Sequence, residues 1–323
     1  MARIISVASY LPSEIIDNQD LSSRFPSWSP EKIYFKTGIR ERRIASKDET
    51  SGDLAVEASK KLFERISINR FEIDMLIFVT QTPNQCLPST SCEIHYSLSL
   101  KESCGCIDVN QGCTGFIYGL SLAASLIDVG SCRNILLLTA DTYSKILDKN
   151  DSTVVPIFGD AASATLVAQD INNNRSIGQF VFGTDGSSAD LLKCDYGGFR
   201  KGIKDWIPLK MKGPSIMEFT LRKVPLAVKE YFQKTETSLE DYDKIIFHQA
   251  NKFILDHLYK KISATGKGVI DLEYTGNTIS STIPIALENL LFQNNQRHLR
   301  LLLVGFGVGL SWGVTSVYFH KYE

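Results

Sequence analysis

Three side chains of this sequence have the type and setting for chemistry: Cys113, His248 and Asn277. Cys113 stands in Val109-Asn-Gln-Gly-Cys-Thr-Gly-Phe116, between a strand-like segment and an apolar helical pattern. A thiol there meets the positive end of the helix dipole, which favours the thiolate. At the free value of about 8.5 only about 3% is ionised at pH 7, whereas a drop to about 7 gives half. Gly112 and Gly115 let the backbone bend tightly and leave room beside the sulfur. A free buried cysteine is ordinarily an inert small hydrophobe, the reading taken for Cys86, Cys92, Cys104, Cys106, Cys132 and Cys194. His248 follows the run Ile245-Ile246-Phe247, where a histidine by itself reads as structural. Asn277, in Gly276-Asn277-Thr278, suits a turn or a helix cap.

The organisation of the chain is what joins these residues. Met75–Val79 and Ile135–Leu138 are continuous apolar runs, as expected of strands buried on both faces. Between them Cys113, Phe116, Ile117, Leu120, Ala124 and Ile127 recur at helical spacing, which predicts a helix deep in the core. It should end at Asp128-Val129-Gly130, where glycine accepts the left-handed conformation. The pattern then repeats: Phe71–Phe78 is echoed by Leu239–Phe247, Cys113 and its helix by Asn277–Leu291, and Ile135–Leu138 by Leu301–Val304. Alternating strands and helices with such echoes predict a duplicated α/β unit. The halves are expected at 1–172 and 173–323, joined by the polar stretch Asp170–Arg175. In that arrangement Cys113 and Asn277 are equivalent, and all three residues converge at a pseudo-twofold axis.

Two local features bear on the site. Pro284 cannot lie deep in a regular helix, so Asn277 belongs to an irregular loop ahead of one. Gly305-Phe-Gly-Val-Gly-Leu-Ser-Trp-Gly313 lacks the spacing of a dinucleotide fingerprint and leads into another strand, Val314–Phe319. A strand–glycine turn–strand presents backbone N–H groups, as an oxyanion hole requires. The aperiodic region 183–213 reads as an excursion at a site entrance.

Composition narrows the class. Lys+Arg 35 against Asp+Glu 36 leaves a net charge of −1, which argues against nucleic acid as the main partner. An odd number of cysteines argues for reduced thiols in the cytoplasm, and Cys104-Gly-Cys106 lacks a second pair for zinc, so no metal is expected. The apolar run Gly115–Ile127 is too short to span a bilayer, so no membrane association is expected.

The chain resembles the β-ketoacyl-acyl carrier protein synthase III family of thiolase-fold condensing enzymes. The resemblance rests on Lys36-Thr-Gly-Ile-Arg-Glu-Arg-Arg-Ile-Ala45, Asp108-Val-Asn-Gln-Gly-Cys113, Phe158-Gly-Asp-Ala-Ala-Ser-Ala164, His248-Gln-Ala-Asn251, Gly276-Asn277-Thr278 and Phe306-Gly-Val-Gly-Leu-Ser-Trp-Gly313. It implies a five-layered α/β/α/β/α homodimer and a Cys113, His248, Asn277 triad. It further implies an oxyanion hole from the backbone N–H groups of Cys113 and Val308. Cys113 would take an acyl group from acyl-coenzyme A or an acyl carrier protein. A malonyl thioester on carrier protein or coenzyme A would then lose carbon dioxide against His248 and Asn277 and condense to a 3-oxoacyl product, with no bound cofactor. Asn251, Lys36, Lys260 and Lys261 would receive the pantetheine or carrier protein, and Leu87, Phe158 and Phe306 would shape the acyl pocket. Leu87 stands at the position of the dimer partner's pocket-closing phenylalanine.

Departures from the family pattern point to a specialised pathway. The adenine-stacking tryptophan falls at Lys32 and its arginine partner near Ser152; the arginine near the pyrophosphate falls at Lys36. A pantetheine-holding asparagine falls at Pro214, and Phe253 and Glu218 replace basic docking positions beside Lys252. Acyl transfer to an alcohol or amine on the same fold, and a non-catalytic partner subunit, are the alternative readings.

Overall fold

The computed structural model describes residues 1–170, 176–198, 206–293 and 298–320. The linker expected at Asp170–Arg175, with the boundary between 172 and 173, falls almost wholly outside the described residues, as does the middle of the 183–213 excursion.

Two sheets carry the architecture. Strands of the first are β1 (Ala2–Tyr10), β2 (Met75–Val79), β3 (Gly105–Val109), β4 (Asn134–Asp141) and β5 (Ala161–Gln169), in the order β1-β5-β4-β2-β3. Those of the second are β6 (Val181–Thr184), β7 (Lys244–Phe247), β8 (His298–Gly307) and β9 (Ser311–His320), in the order β7-β8-β9-β6. The two share one topology. β4 runs parallel to β2 and antiparallel to β5, as β8 does to β7 and β9. A parallel bridge from Ile245 to Gly268 stands where β3 pairs with β2. The register carries the echo read from the sequence: Phe78 faces Leu138 and Phe247 faces Val304.

Alternation along each strand divides the core into layers. Ile77, Ile135 and Val167 of the first sheet and Ile246, Leu301 and Leu303 of the second face inward onto α3 (Gly115–Asp128) and α6 (Thr282–Gln293). Leu76, Phe78, Leu136 and Leu138 face outward under α1 (Ser51–Arg65) and α2 (Thr90–Ser97). Ile245, Phe247, Leu302 and Val304 face outward under α4 (Gly213–Thr235) and α5 (Lys252–Lys261). The order is helix, sheet, helix, sheet, helix: the expected five layers.

The central helices explain their sequences. α3 is apolar nearly all round because sheets cover it on both sides, and it ends with Gly130 at φ +79°, as expected. α6 begins at Thr282, so Pro284 lies in its first turn, where a missing N–H costs no helical bond. Among the described residues no helix is long and apolar enough to cross a membrane, and all seven cysteines are free.

Leu120, fully buried between the sheets, tests the central layer. Leu120→Ala should cost about 2–5 kcal/mol of unfolding free energy in urea denaturation, as a cavity bounded by two sheets cannot collapse. A loss below about 1 kcal/mol would contradict the packing described.

Candidate active site

Cys113 is held by the turn between β3 and α3. Gln111 donates its N–H to the Val109 carbonyl at 2.9 Å and Gly115 donates to that of Gly112 at 2.7 Å. The thiol therefore stands two residues ahead of the helix, not within it. Two glycines are required for space. A Cβ on Gly112 would meet Gln81 Oε1 at 2.3 Å, and one on Gly307 would meet Cys113 Sγ at 2.7 Å. Gly307, at φ +155°, begins the turn between β8 and β9, and the N–H groups of Val308 and of Cys113 itself reach the sulfur.

The protonation of Cys113 differs from the sequence expectation. Burial pushes its pKa up to about 12, outweighing the two N–H groups that act the other way. The resting group is a thiol. The expected ionised sulfur is thus overturned by its desolvation, which the neighbouring Asp141 carboxyl reinforces.

His248 follows the last residue of β7, and its N–H donates to the Val304 carbonyl at 2.8 Å. Its Nδ1 lies 2.7 Å from Thr282 Oγ1, and its ring stands edge-on to Phe306 with centroids 5.4 Å apart. Burial lowers its pKa to about 3, so the imidazole is neutral at physiological pH.

Asn277 sits in the loop ahead of α6, as Pro284 required. Its N–H donates to the Ile157 carbonyl at 2.9 Å, and its carbonyl accepts from Gly159 at 3.0 Å. Its side-chain Oδ1 accepts from the Ile279 N–H at 3.0 Å, which leaves the amide Nδ2 as the free donor end.

These three residues line one cavity of about 710 Å³. Its floor is buried and includes Phe158 and Phe306; Ile157, Leu192, Met211 and Ile216 make an apolar wall. Exposed Lys36, Lys212 and Pro214, with Phe253, mark the opening. Leu192 and Met211 belong to the 183–213 excursion, which thus borders the cavity as expected.

Other expected residues divide. Asn251 lines the cavity while its Oδ1 caps α5 by accepting from Ile254. Lys260 and Lys261 lie outside it on the last turn of α5, with Lys261 Nζ donating to the Leu221 carbonyl at 2.7 Å. Leu87 does not reach the cavity of its own chain and is 81% exposed, because it lies in the outward loop between β2 and α2. An indole also stands near the position assigned to Lys32. The Trp28 ring has Lys32 Nζ and Lys36 Nζ each 4.9 Å from its centroid, so the chain's own ammonium groups occupy it.

Sequence reasoning did not single out Thr282, the partner of His248, or Asp141. This buried carboxylate accepts from Ser280 Oγ and from the backbone N–H of Gln81, and burial raises its pKa to about 7. Cys104-Gly-Cys106 has a neighbour the spacing did not reveal: a ring nitrogen of His95 lies within 4.8 Å of both sulfurs. That group packs beside the outer layer, and none of its members lines the cavity.

Comparison with known proteins accords with this geometry. Residues 107–186 match the family model for 3-oxoacyl-[acyl-carrier-protein] synthase III, and residues 232–319 match that of its C-terminal part. A β-ketoacyl-[acyl-carrier-protein] synthase III of Caldanaerobacter subterraneus is 33% identical, over 99% of this chain and 98% of its own. One from Clostridium perfringens is 35% identical, over 98% of each. A crystal structure of a 3-oxoacyl-(acyl-carrier-protein) synthase III superposes with TM-score 0.96 at 41% identity, covering 98% of this chain and 99% of that one. The priming β-ketosynthase of the R1128 polyketide pathway superposes at 0.92 with 28% identity, covering 99% and 97%. The chain thus has relatives along its whole length and belongs to the β-ketoacyl-acyl carrier protein synthase III family of condensing enzymes.

Proposed function

We propose that Cys113 carries the acyl group and that His248 and Asn277 stabilise the enolate of a malonyl thioester. The convergence of the three on one buried cavity carries this reading. In the first half-reaction the Cys113 sulfur attacks an acyl thioester, the tetrahedral oxygen rests on the N–H groups of Cys113 and Val308, and the thiol proton leaves with the displaced pantetheine thiol. In the second, the malonyl carboxylate departs as carbon dioxide. The electron pair left behind spreads onto the thioester oxygen, which takes hydrogen bonds from His248 and Asn277. The enolate carbon then attacks acyl-Cys113, and the collapsing intermediate expels the sulfur.

Neutral donors suit this chemistry. A pKa near 3 makes His248 useless as a base at neutral pH yet keeps it a hydrogen-bond donor. One donor aimed at a developing oxyanion supplies about 3 kcal/mol. Hydrolysis, in contrast, calls for an imidazole polarised by a third group; none of the acidic side chains of the described residues lines this cavity.

The opening favours a pantetheine arm entering past Lys36 and Asn251. Lys32 and Lys36 lie against Trp28 and deny it to an adenine, which favours an acyl carrier protein over free coenzyme A as donor, in a specialised cytoplasmic pathway. Lys260 and Lys261 supply positive charge for an acidic carrier. Exposed Leu87 and the exposed edge of β3, with Ile107 at 41%, suit a homodimer in which one protomer's Leu87 closes the partner's acyl pocket.

Three outcomes test the reading. Incubated with a panel of acyl thioesters, the protein should gain one acyl mass, and Cys113→Ala should gain none; an adduct persisting on that variant would exclude Cys113. His248→Ala and Asn277→Ala should still self-acylate but release carbon dioxide from malonyl carrier protein at least about a hundredfold more slowly. The resting thiol should also react with iodoacetamide at a rate that climbs about tenfold per pH unit from 7 to 9. The sign follows from the raised pKa, which keeps the thiolate a minor species throughout that range. A plateau below pH 8 would mean the sulfur rests ionised.

A further inference from the structure

A neutral imidazole carries one ring proton, and the nitrogen that holds it decides what His248 offers the cavity. Nδ1 is engaged by Thr282 Oγ1, so Nε2 is the nitrogen left for a substrate. Two arrangements are open to the Thr282 hydroxyl, whose oxygen lies 2.7 Å from His248 Nδ1 and 3.1 Å from the Ile279 carbonyl oxygen. If the hydroxyl proton points at Ile279, Nδ1 must donate and Nε2 is a bare acceptor, useless to an enolate. If it points at Nδ1, Nε2 carries the proton and donates.

The lengths separate the two. Hydroxyl donors favour about 2.7–2.8 Å, whereas N–H donors favour about 2.9–3.0 Å. Of the hydroxyl's two contacts the one with Nδ1 is the shorter, 2.7 Å against 3.1 Å, which places its proton there. We propose that Thr282 is a positioning residue: its hydroxyl donates to His248 Nδ1 and thereby fixes the proton on Nε2, facing the cavity. This deepens, and rests on, the assignment of His248 as an enolate donor.

The loop that carries Thr282 is built to hold this setting. Ile279 has φ +53°, a costly conformation for a β-branched residue. There its N–H meets Asn277 Oδ1, while its carbonyl, which also interacts with the His248 ring, is the competing acceptor against which the Thr282 hydroxyl sets the tautomer. Ser280 donates to the buried Asp141 at 2.5 Å, and Ser281 lies 2.8 Å from the Thr139 hydroxyl. The segment is thus pinned to the C-terminal end of β4, and from it one short loop directs the amide of Asn277 and the imidazole of His248 together.

The test reads the tautomer directly. Protein labelled with ¹⁵N-histidine is examined by long-range ¹H–¹⁵N NMR without substrate, His248 being assigned by its loss in His248→Gln. The expected result is an Nε2–H ring in the native protein and in Thr282→Ser. In Thr282→Val the proton should move to Nδ1, facing the Ile279 carbonyl, and decarboxylation of malonyl carrier protein should fall about a hundredfold. Self-acylation of Cys113 should persist in that variant, and serine should restore decarboxylation. A native Nδ1–H tautomer overturns the proposal without any variant; so does a folded Thr282→Val protein that keeps Nε2–H and its decarboxylation rate. If the native protein proves Nε2–H but releases no carbon dioxide from any malonyl thioester, the enolate-donor reading falls while the tautomer assignment stands.

Discussion

Desolvation is the constraint on which the site depends. Cys113, His248 and Asn277 are each less than a tenth exposed, and in such a place a permanent charge is expensive. The molecule answers by keeping all three neutral at rest: a thiol pushed up to about 12, an imidazole pushed down to about 3, and an amide. In the proposed reaction charge appears only after substrate binds, first on the tetrahedral oxygen and later on the enolate, where fixed donors stand ready. A low dielectric makes those donors stronger than they would be in water. The same burial that slows ionisation of the sulfur strengthens stabilisation of the transition states that follow.

Such a cavity must be assembled from both halves, and the repeated topology supplies it. β3 and β4 of the first sheet end beside the turn of Cys113 and the anchor Asp141, while β7 and β8 end at His248 and Gly307. Because the central helices are packed between two sheets, their starting loops meet rather than facing solvent. The glycine turn of the second sheet thus lies against Cys113 beside the first, close enough that a Cβ at Gly307 would strike its sulfur.

Much of this was legible in the sequence, and the boundary of legibility has a physical cause. Continuous apolar runs gave β2 and β4, the echo of the latter gave β8, and the buried spacing gave α3, because burial on both sides leaves a strong signature. Pro284 located Asn277 ahead of α6 through the geometry of its own ring. The protonation of Cys113 was misjudged because the helix dipole is visible in a sequence and the extent of desolvation is not. Thr282 and Asp141 escaped notice for a similar reason: a threonine at a helix start and an aspartate at a strand end are ordinary as sequence, and only tertiary neighbours make them partners of the site. Leu87 matched a pocket residue by position, yet a single chain leaves it facing outward.

The loop from Asn277 to Thr282 carries two costly features. It holds a β-branched residue at positive φ, and it relies on a carboxylate whose burial raises its pKa to about 7. A carboxyl raised in this way costs stability as pH climbs from its unfolded value through the folded one, because the unfolded chain releases its proton first. Neither feature helps the chain fold. Replacing Ser280 and Asp141 by small apolar residues would remove the buried carboxyl and also the anchor that keeps Ile279 in place. That Asn277 Oδ1 is held by the strained residue's N–H gives the strain a use: it leaves the amide Nδ2 directed from a rigid turn. Stability surrendered at Ile279 and Asp141 is therefore best understood as the energetic counterpart of a preorganised site, where aligned dipoles need no further rearrangement when the enolate forms.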